Sequence, residues 1–296
     1  MTHQSINSQD AVPELLSPAG NQAALLAALA SGADAVYLGT DSLNARRNAG
    51  NFTLNELREA CDLAHLASRR VYLTLNTAIL PDEFAAALEL ARQAYHAGVD
   101  ALIVADLGLL AALAVELPDL ELHASTQLNT HSSAALRWLA KAGANRVTLA
   151  RETALEEIAA LSLTAVPLEV FVHGALCFCY SGQCLMSSLI GRRSANRGLC
   201  AQPCRLPYQL VDAASGRRLP TLGDRLLSPL DLRAVNLLGD LRDAGVAALK
   251  IEGRMKSADY VAKVTRAYRD ALDALAAPAA DREVAGATQG DGSFVF

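Results

Sequence analysis

Four times along the chain a helical segment ends in Gly, a small or polar residue follows, and a short apolar run comes next. The four are ASGADAVYLG (Ala30–Gly39), HAGVDALIVAD (His96–Asp106), KAGANRVTLARE (Lys141–Glu152) and DAGVAALKIEG (Asp243–Gly253). Gly just past a helix takes the left-handed conformation at little cost. The aliphatic and β-branched run after it reads as a strand buried on both faces, as in a parallel sheet. Repetition of one helix-to-strand junction restricts the chain to β/α architectures.

Completing the pattern gives eight strands: Val12–Leu16, Ala35–Leu38, Val71–Asn76, Ala101–Ala105, Leu120–Ala124, Arg146–Leu149, Leu168–Val172 and Ala247–Ile251. Helical stretches such as Leu54–Ala67, Glu83–Ala97 and Ser132–Ala142 lie between them. Most strand starts are about 20–35 residues apart, one β/α unit each, which predicts a (β/α)8 barrel. An open doubly wound sheet is the weaker reading. The first turn, Ser17-Pro18-Ala19-Gly20-Asn21, lacks the Gly-x-Gly-x-x-Gly fingerprint. The barrel is expected over residues 12–276, between a disordered tail 1–11 and a flexible tail 277–296.

The spacing breaks once, by about 75 residues between Val172 and Ala247, and this insertion holds five of the six cysteines. A Cys-rich excursion over 174–225 is expected there. Tyr208–Val211 and Arg217–Leu219, around Ser215-Gly216, read as a small β-hairpin. Cys177, Cys184, Cys200 and Cys204 form a C-x6-C-x15-C-x3-C array, with Cys179 as an extra thiol. Such a soft donor set suits an iron–sulfur cluster or Zn²⁺, with redox thiols as a third reading. Cys61, inside a helical pattern, reads as a plain buried thiol.

Composition sharpens this. With 52% hydrophobic residues the chain is no disordered polymer, and six Cys in 296 residues make no disulfide scaffold. Clustered thiols then point to metal or redox chemistry in a reducing, cytoplasmic setting. Residues 1–11 are polar and lack a signal-peptide core. The most apolar stretch, Ala101–Leu117, is interrupted by Asp106 and Gly108 and reads as strand, turn and helix, so no membrane insertion is expected. A net charge of −5 gives no global attraction to polyanions. Within the insertion, residues 192–218 are the exception, with Arg192, Arg193, Arg197, Arg205, Arg217 and Arg218 against Asp212. RNA contact through Arg192, Arg193, Arg197 and Arg205 is therefore a candidate role, against the plainer reading of a solvated face.

Barrels place their chemistry at strand C-termini. Reading those ends gives Asn44 and Arg46, Asn76, Asp106, then Ser125, Gln127 and Asn129, Arg151 and Glu152, His173, and Glu252 and Arg254. Arg46, Arg151 and Arg254 can grip a small anionic co-substrate, with Asn44, Asn76, Gln127 and Glu152 beside it. His173, Glu252 and Arg254 are the catalytic candidates. The plain alternative is that these groups cap helices or pair with one another. His123 and His131, beside strand five, stay undecided. No H-E-x-x-H and no G-x-S-x-G is present.

The segments EVFVHGALCFCYSGQCLMSS and RSANRGLCAQPCR, with ELLSPAGNQAALLAALASGADAVYLG before them and LLSPLDL…LKIEGRMKSADYV after, resemble the collagenase-like peptidase U-32 family. The resemblance runs from about Val12 to about Leu275. It implies a 4Fe–4S cluster on Cys177, Cys184, Cys200 and Cys204. It also implies hydroxylation of RNA bases or of the ubiquinone ring without O₂, with prephenate an oxygen source in some members. The peptidase name is historical in that reading. CAQPCRLPY resembles the branch acting on a ribosomal cytidine and its tRNA-hydroxylating relatives. The ubiquinone branch takes its last ligand from farther along, and no Cys follows Cys204 here. Peptide cleavage, and a partner-dependent role in quinone hydroxylation, are the competing expectations.

Overall fold

The computed structural model describes residues 12–277 except Ala165. The two expected tails therefore lie outside the described residues, apart from Ala277.

Eight parallel strands close into a barrel. They are β1 (Glu14–Pro18), β2 (Ala35–Leu38), β3 (Arg70–Leu75), β4 (Ala101–Val104), β5 (Glu121–Ala124), β6 (Arg146–Thr148), β7 (Leu168–Ala175) and, after the insertion strand β8 (Asp231–Arg233), β9 (Ala248–Ile251). Each pairs with the next, and β9 pairs with both β7 and β1 to complete the ring. The helices between strands are α1 (Gln22–Ala30), α2 (Leu54–Leu66), α3 (Phe84–Ala97), α4 (Leu107–Glu116), α5 (Ser133–Lys141) and α6 (Leu155–Leu161). After α7 (Met186–Gly191) in the insertion come α8 (Leu238–Asp243) and α9 (Ala258–Ala276). The predicted strands fall within a few residues of the observed ones.

Local sequence explains the punctuation. Asn21, Thr53, Asp106, Ser132 and Ser257 each cap a helix N-terminus with a side-chain oxygen, and Thr53 and Glu56 form a reciprocal capping box. The four repeat glycines, Gly32, Gly98, Gly143 and Gly245, all have positive φ, as the repeat predicts.

Strand alternation sorts side chains into two environments. Leu15, Val36, Leu73, Leu102 and Leu249 pack outward against the helices. Leu16, Ala35, Tyr37, Tyr72, Ala101 and Ile103 form a separate apolar cluster on the inner face of β1–β4. The opposite inner face is charged. Glu169, fully buried, takes Lys250 Nζ at 2.8 Å and Thr148 Oγ1 at 2.7 Å, with Arg146 at 3.6 Å. Arg146 reaches on to Glu14 at 2.7 Å, and Glu14 also receives the Tyr72 hydroxyl and pairs with Arg70.

Two local expectations are refined. The hairpin expected around Ser215-Gly216 is present in minimal form, as the antiparallel bridge Val211↔Arg218 with Asp212 N donating to Arg217 O and Leu219 N to Leu210 O, both at 2.9 Å. Its turn is held by Asp212, whose carboxylate accepts from Ser215 N at 2.7 Å, but too few residues pair to make strands. Conversely, β7 continues to Ala175 and pairs antiparallel with β8 (His173↔Arg233). A three-residue strand with exposed ends carries no alternation to read.

Candidate functional site

The C-terminal strand ends surround a cavity of about 470 Å³. The insertion forms its outer wall, and three contacts fix that wall to the barrel. Ser181 gives its backbone N–H and its hydroxyl to the Glu152 carboxylate, at 3.0 and 2.9 Å, and its hydroxyl accepts from Arg151 Nε at 3.2 Å. Gly182 at φ +70° lies so close to the Gln127 carbonyl that a Cβ would sit 1.9 Å from it. Arg197 binds Glu83 bidentately and donates to Ala78 O at 3.1 Å.

On the barrel side, Arg46 and Glu252 pair at 2.9 Å. Burial pushes the Glu252 carboxyl up, but Arg46 and Arg254 outweigh it and hold the group below its usual range. Arg254 is only 3% exposed, and its guanidinium donates to two neutral oxygens, Thr74 Oγ1 and Asn44 Oδ1, both at 3.0 Å. Burial draws its pKa down to about 10, so it stays charged at neutral pH. A buried guanidinium hydrogen-bonded to neutral oxygens beside a cavity is an anion-binding arrangement. Asn44 and Asn76 shape this wall by accepting from Arg46 N and Ala45 N, at 2.8 and 2.9 Å.

Five free thiols line the facing wall: Cys177, Cys179, Cys184, Cys200 and Cys204. Cys200 Sγ accepts from Gln202 N at 3.4 Å and from Ser187 Oγ at 3.9 Å. The donor set fits a soft metal centre in number and chemistry. As they stand, no three His, Cys, Asp or Glu side chains among the described residues are grouped tightly enough to hold a metal ion. Cys61 is the plain buried thiol the sequence suggested, its pKa pushed up to about 12 by burial.

His173 lies on the cavity wall with its ring against Tyr268 and Tyr260, centroids 5.5 and 6.0 Å away. Its Nδ1 has no hydrogen-bond partner, and burial lowers its pKa, which keeps the imidazole neutral.

The expected residues divide accordingly. Arg46, Asn76, Gln127, Arg151, His173, Glu252 and Arg254 line the cavity, as does Ser125. Asn44 and Glu152 stand behind the wall, positioning Arg254 and Ser181. Asp106 caps α4, and Asn129 accepts at its carbonyl from His131 Nδ1, 2.8 Å away. His123 is fully buried inside the barrel against Glu121 and the edge of Tyr72. Of the four RNA-contact arginines, Arg192 and Arg193 are exposed. Arg197 is committed to Glu83, and Arg205 to Ser228, Pro229 O and Leu176 O, so these two hold the insertion together.

Sequence reasoning missed Tyr37, Phe171 and Lys250, which also line the cavity. Strand parity was the available signal. Lys250 precedes Glu252 by two positions, which puts it on the same inner face, whereas on β7 a register shift between Phe171 and His173 breaks that alternation.

Comparison with known proteins adds the relationships. Residues 20–290 match the model of peptidase family U32. A 23S rRNA 5-hydroxycytidine synthase of Escherichia coli is 44% identical over 88% of this chain, which spans only 39% of that protein. A collagenase of Porphyromonas gingivalis is 35% identical, covering 92% of this chain and 68% of its own length. The tRNA hydroxylation protein P of Escherichia coli is 32% identical, covering 90% and 69%. A solved U32 peptidase structure superposes with a TM-score of 0.55 at 17% identity, over 85% of this chain and 97% of that one, a likeness of fold.

Proposed function

The chain belongs to peptidase family U32, and from that premise we propose that it hydroxylates RNA bases without O₂, with a 4Fe–4S cluster held by Cys177, Cys184, Cys200 and Cys204. The observation that carries the reading is the pairing of walls across one cavity. Soft thiols face a buried, cationic barrel end. A bound cluster would supply one-electron or Lewis-acid chemistry at the thiol wall.

The protein's own residues have separable tasks. Arg254, with Arg46 and Arg151, binds the small anionic co-substrate. Asn44 and Thr74 fix the guanidinium plane of Arg254, and Glu252 fixes that of Arg46. The neutral His173, with Nδ1 unpartnered, is placed to take or hold a proton at that atom. A base inside a folded RNA must leave its stack to enter such a cavity. Arg192 and Arg193, exposed after α7, are the phosphate contacts. No helix among the described residues is long and apolar enough to cross a membrane, and an RNA substrate fits a cytoplasmic protein. Thiol-dependent peptide cleavage is less well supported. It needs a nucleophile–base hydrogen bond, and His173 Nδ1 makes none.

The test compares rRNA and tRNA from a deletion strain with those from its parent by mass spectrometry. One nucleoside lighter by one oxygen atom is expected, restored by the wild-type protein but not by Cys200→Ser or Arg254→Met. Anaerobically purified protein should carry iron and sulfide in equal amounts. Unchanged RNA, or a colourless protein with stoichiometric zinc, sinks the reading. Gelatin cleavage lost in Cys179→Ala but kept in Cys200→Ser would favour the peptidase.

A further inference from the structure

Lys250 is a buried cation that the reading above leaves without a task. It points inward from β9, is 4% exposed, and lines the cavity beneath the strand ends. Its ammonium has three donors. One meets Glu169 Oε1 at 2.8 Å. The Tyr37 and Phe171 rings lie beside it, their centroids 4.7 and 5.6 Å from Nζ, so its flanks are aromatic rather than hydrogen-bonding. Glu169 is no dedicated counter-ion, because Arg146 approaches its other oxygen at 3.6 Å.

Tyr37 connects this cation to the anion-binding wall. Its hydroxyl is fixed by donation to Ile251 O at 2.8 Å. The same ring has Lys250 Nζ at 4.7 Å and the Arg254 guanidinium carbon at 6.0 Å from its centroid. Two cations thus flank one immobilised ring, both largely desolvated, one at the cavity floor and one on its wall. An anionic oxygen descending along Tyr37 meets both.

We propose that Lys250 is the floor contact of the cavity, the residue that binds an anionic oxygen of the small ligand at the deepest point and fixes how far that ligand enters. The inference rests on the reading that the cavity takes a small anion, and adds the residue that sets its depth. Lys250 acts as a binding group, anchored on one side by its 2.8 Å contact with Glu169. A compact ammonium suits a space bounded by two rings, where a guanidinium plane is larger.

The test uses benzoate, an aromatic carboxylate, and its neutral analogue benzamide, titrated calorimetrically into the whole chain. Benzoate should bind about ten- to a hundredfold more weakly to Lys250→Met than to wild type, the scale of one charge-assisted hydrogen bond. Benzamide should bind both alike. Lys250→Arg should recover part of the benzoate affinity. If Lys250→Met does not fold, the wild-type lysine-ammonium NMR signal absent from Lys250→Arg should shift on benzoate addition and stay still with benzamide. Equal benzoate affinity in wild type and Lys250→Met, or no benzoate binding by wild type, overturns the proposal. So does a borohydride-trapped pyruvate adduct on Lys250, which would make it a nucleophile. Failure of the RNA test with benzoate binding intact would remove the hydroxylase reading and leave this contact standing.

Discussion

At the scale of single residues the molecule is organised by where its charges are buried. Glu169 has no exposed surface and faces both Lys250 and Arg146. Burial alone would raise its pKa, but the two cations overcome it and bring the value down to about 2, from an ordinary 4.5. The folded-state pKa is therefore depressed. The stability it contributes is present above about pH 4.5 and disappears as pH falls through about 2. Glu169→Gln should cost about 3–5 kcal/mol at neutral pH, because Lys250 and Arg146 lose their shared partner. The variant should then lose less further stability than wild type between those two pH values. Urea unfolding at a series of pH values measures both effects, and parallel acid profiles would contradict this account. The local pattern around position 250 reads as an apolar strand, which is why its inward charge went unnoticed. Only the partners across the barrel reveal its use.

At the scale of elements, the insertion depends on its attachment to the barrel more than on its own secondary structure. Between β7 and α8 it contains the six-residue α7, short turns and the three-residue β8. Its position is set by Ser181 on Glu152, Arg197 on Glu83, and the close approach of Gly182 to Gln127. Gly182→Ala places a methyl group against a backbone carbonyl at positive φ, where neither side gives way cheaply. A loss of about 2 kcal/mol is expected. Hydrogen exchange should quicken in the Cys-rich segment while the β1–β4 amides keep their protection. Uniform quickening across the barrel would show that the insertion and barrel unfold together. The sequence displayed the cysteine spacing openly. It did not show which of the insertion arginines are structural. That depends on acceptors supplied by other elements, such as Glu83 at the start of α3 and the Leu176 carbonyl past β7.

At the scale of the whole molecule, α9, the last helix among the described residues, completes the barrel. α9 packs beside α1, and Arg269 on it reaches Asp34 at 3.1 Å, at the turn before β2. Tyr268, 1% exposed, donates its hydroxyl to Val172 O at 2.7 Å and accepts from Ala234 N at 3.0 Å. One side chain thus ties α9 to β7 and to the return from β8, directly behind His173. Tyr268→Phe keeps the ring and removes both bonds, so a loss of about 1 kcal/mol is expected. Thermal unfolding should register it as one cooperative transition shifted downward. A separate early transition would mean that α9 leaves the barrel independently. The closure also gathers residues from β2, β7 and β9 and from the loops after β3 and β5 into one cavity, which no local segment can do.

The sequence by itself determined the barrel and the metal-suited thiols, because both are local patterns. A glycine after a helix forces the same turn wherever it occurs, and a strand buried on both faces must be apolar throughout. It also placed polar groups at strand ends, since a closed parallel barrel leaves only those ends open. Tertiary structure alone decided which of them face the cavity and which support it. Arg254 and Arg46 are both strand-end arginines, yet one is bonded to Thr74 and Asn44 and the other to a carboxylate. That difference arises from residues up to 210 positions apart meeting in low dielectric, where a charge acts according to its nearest partner.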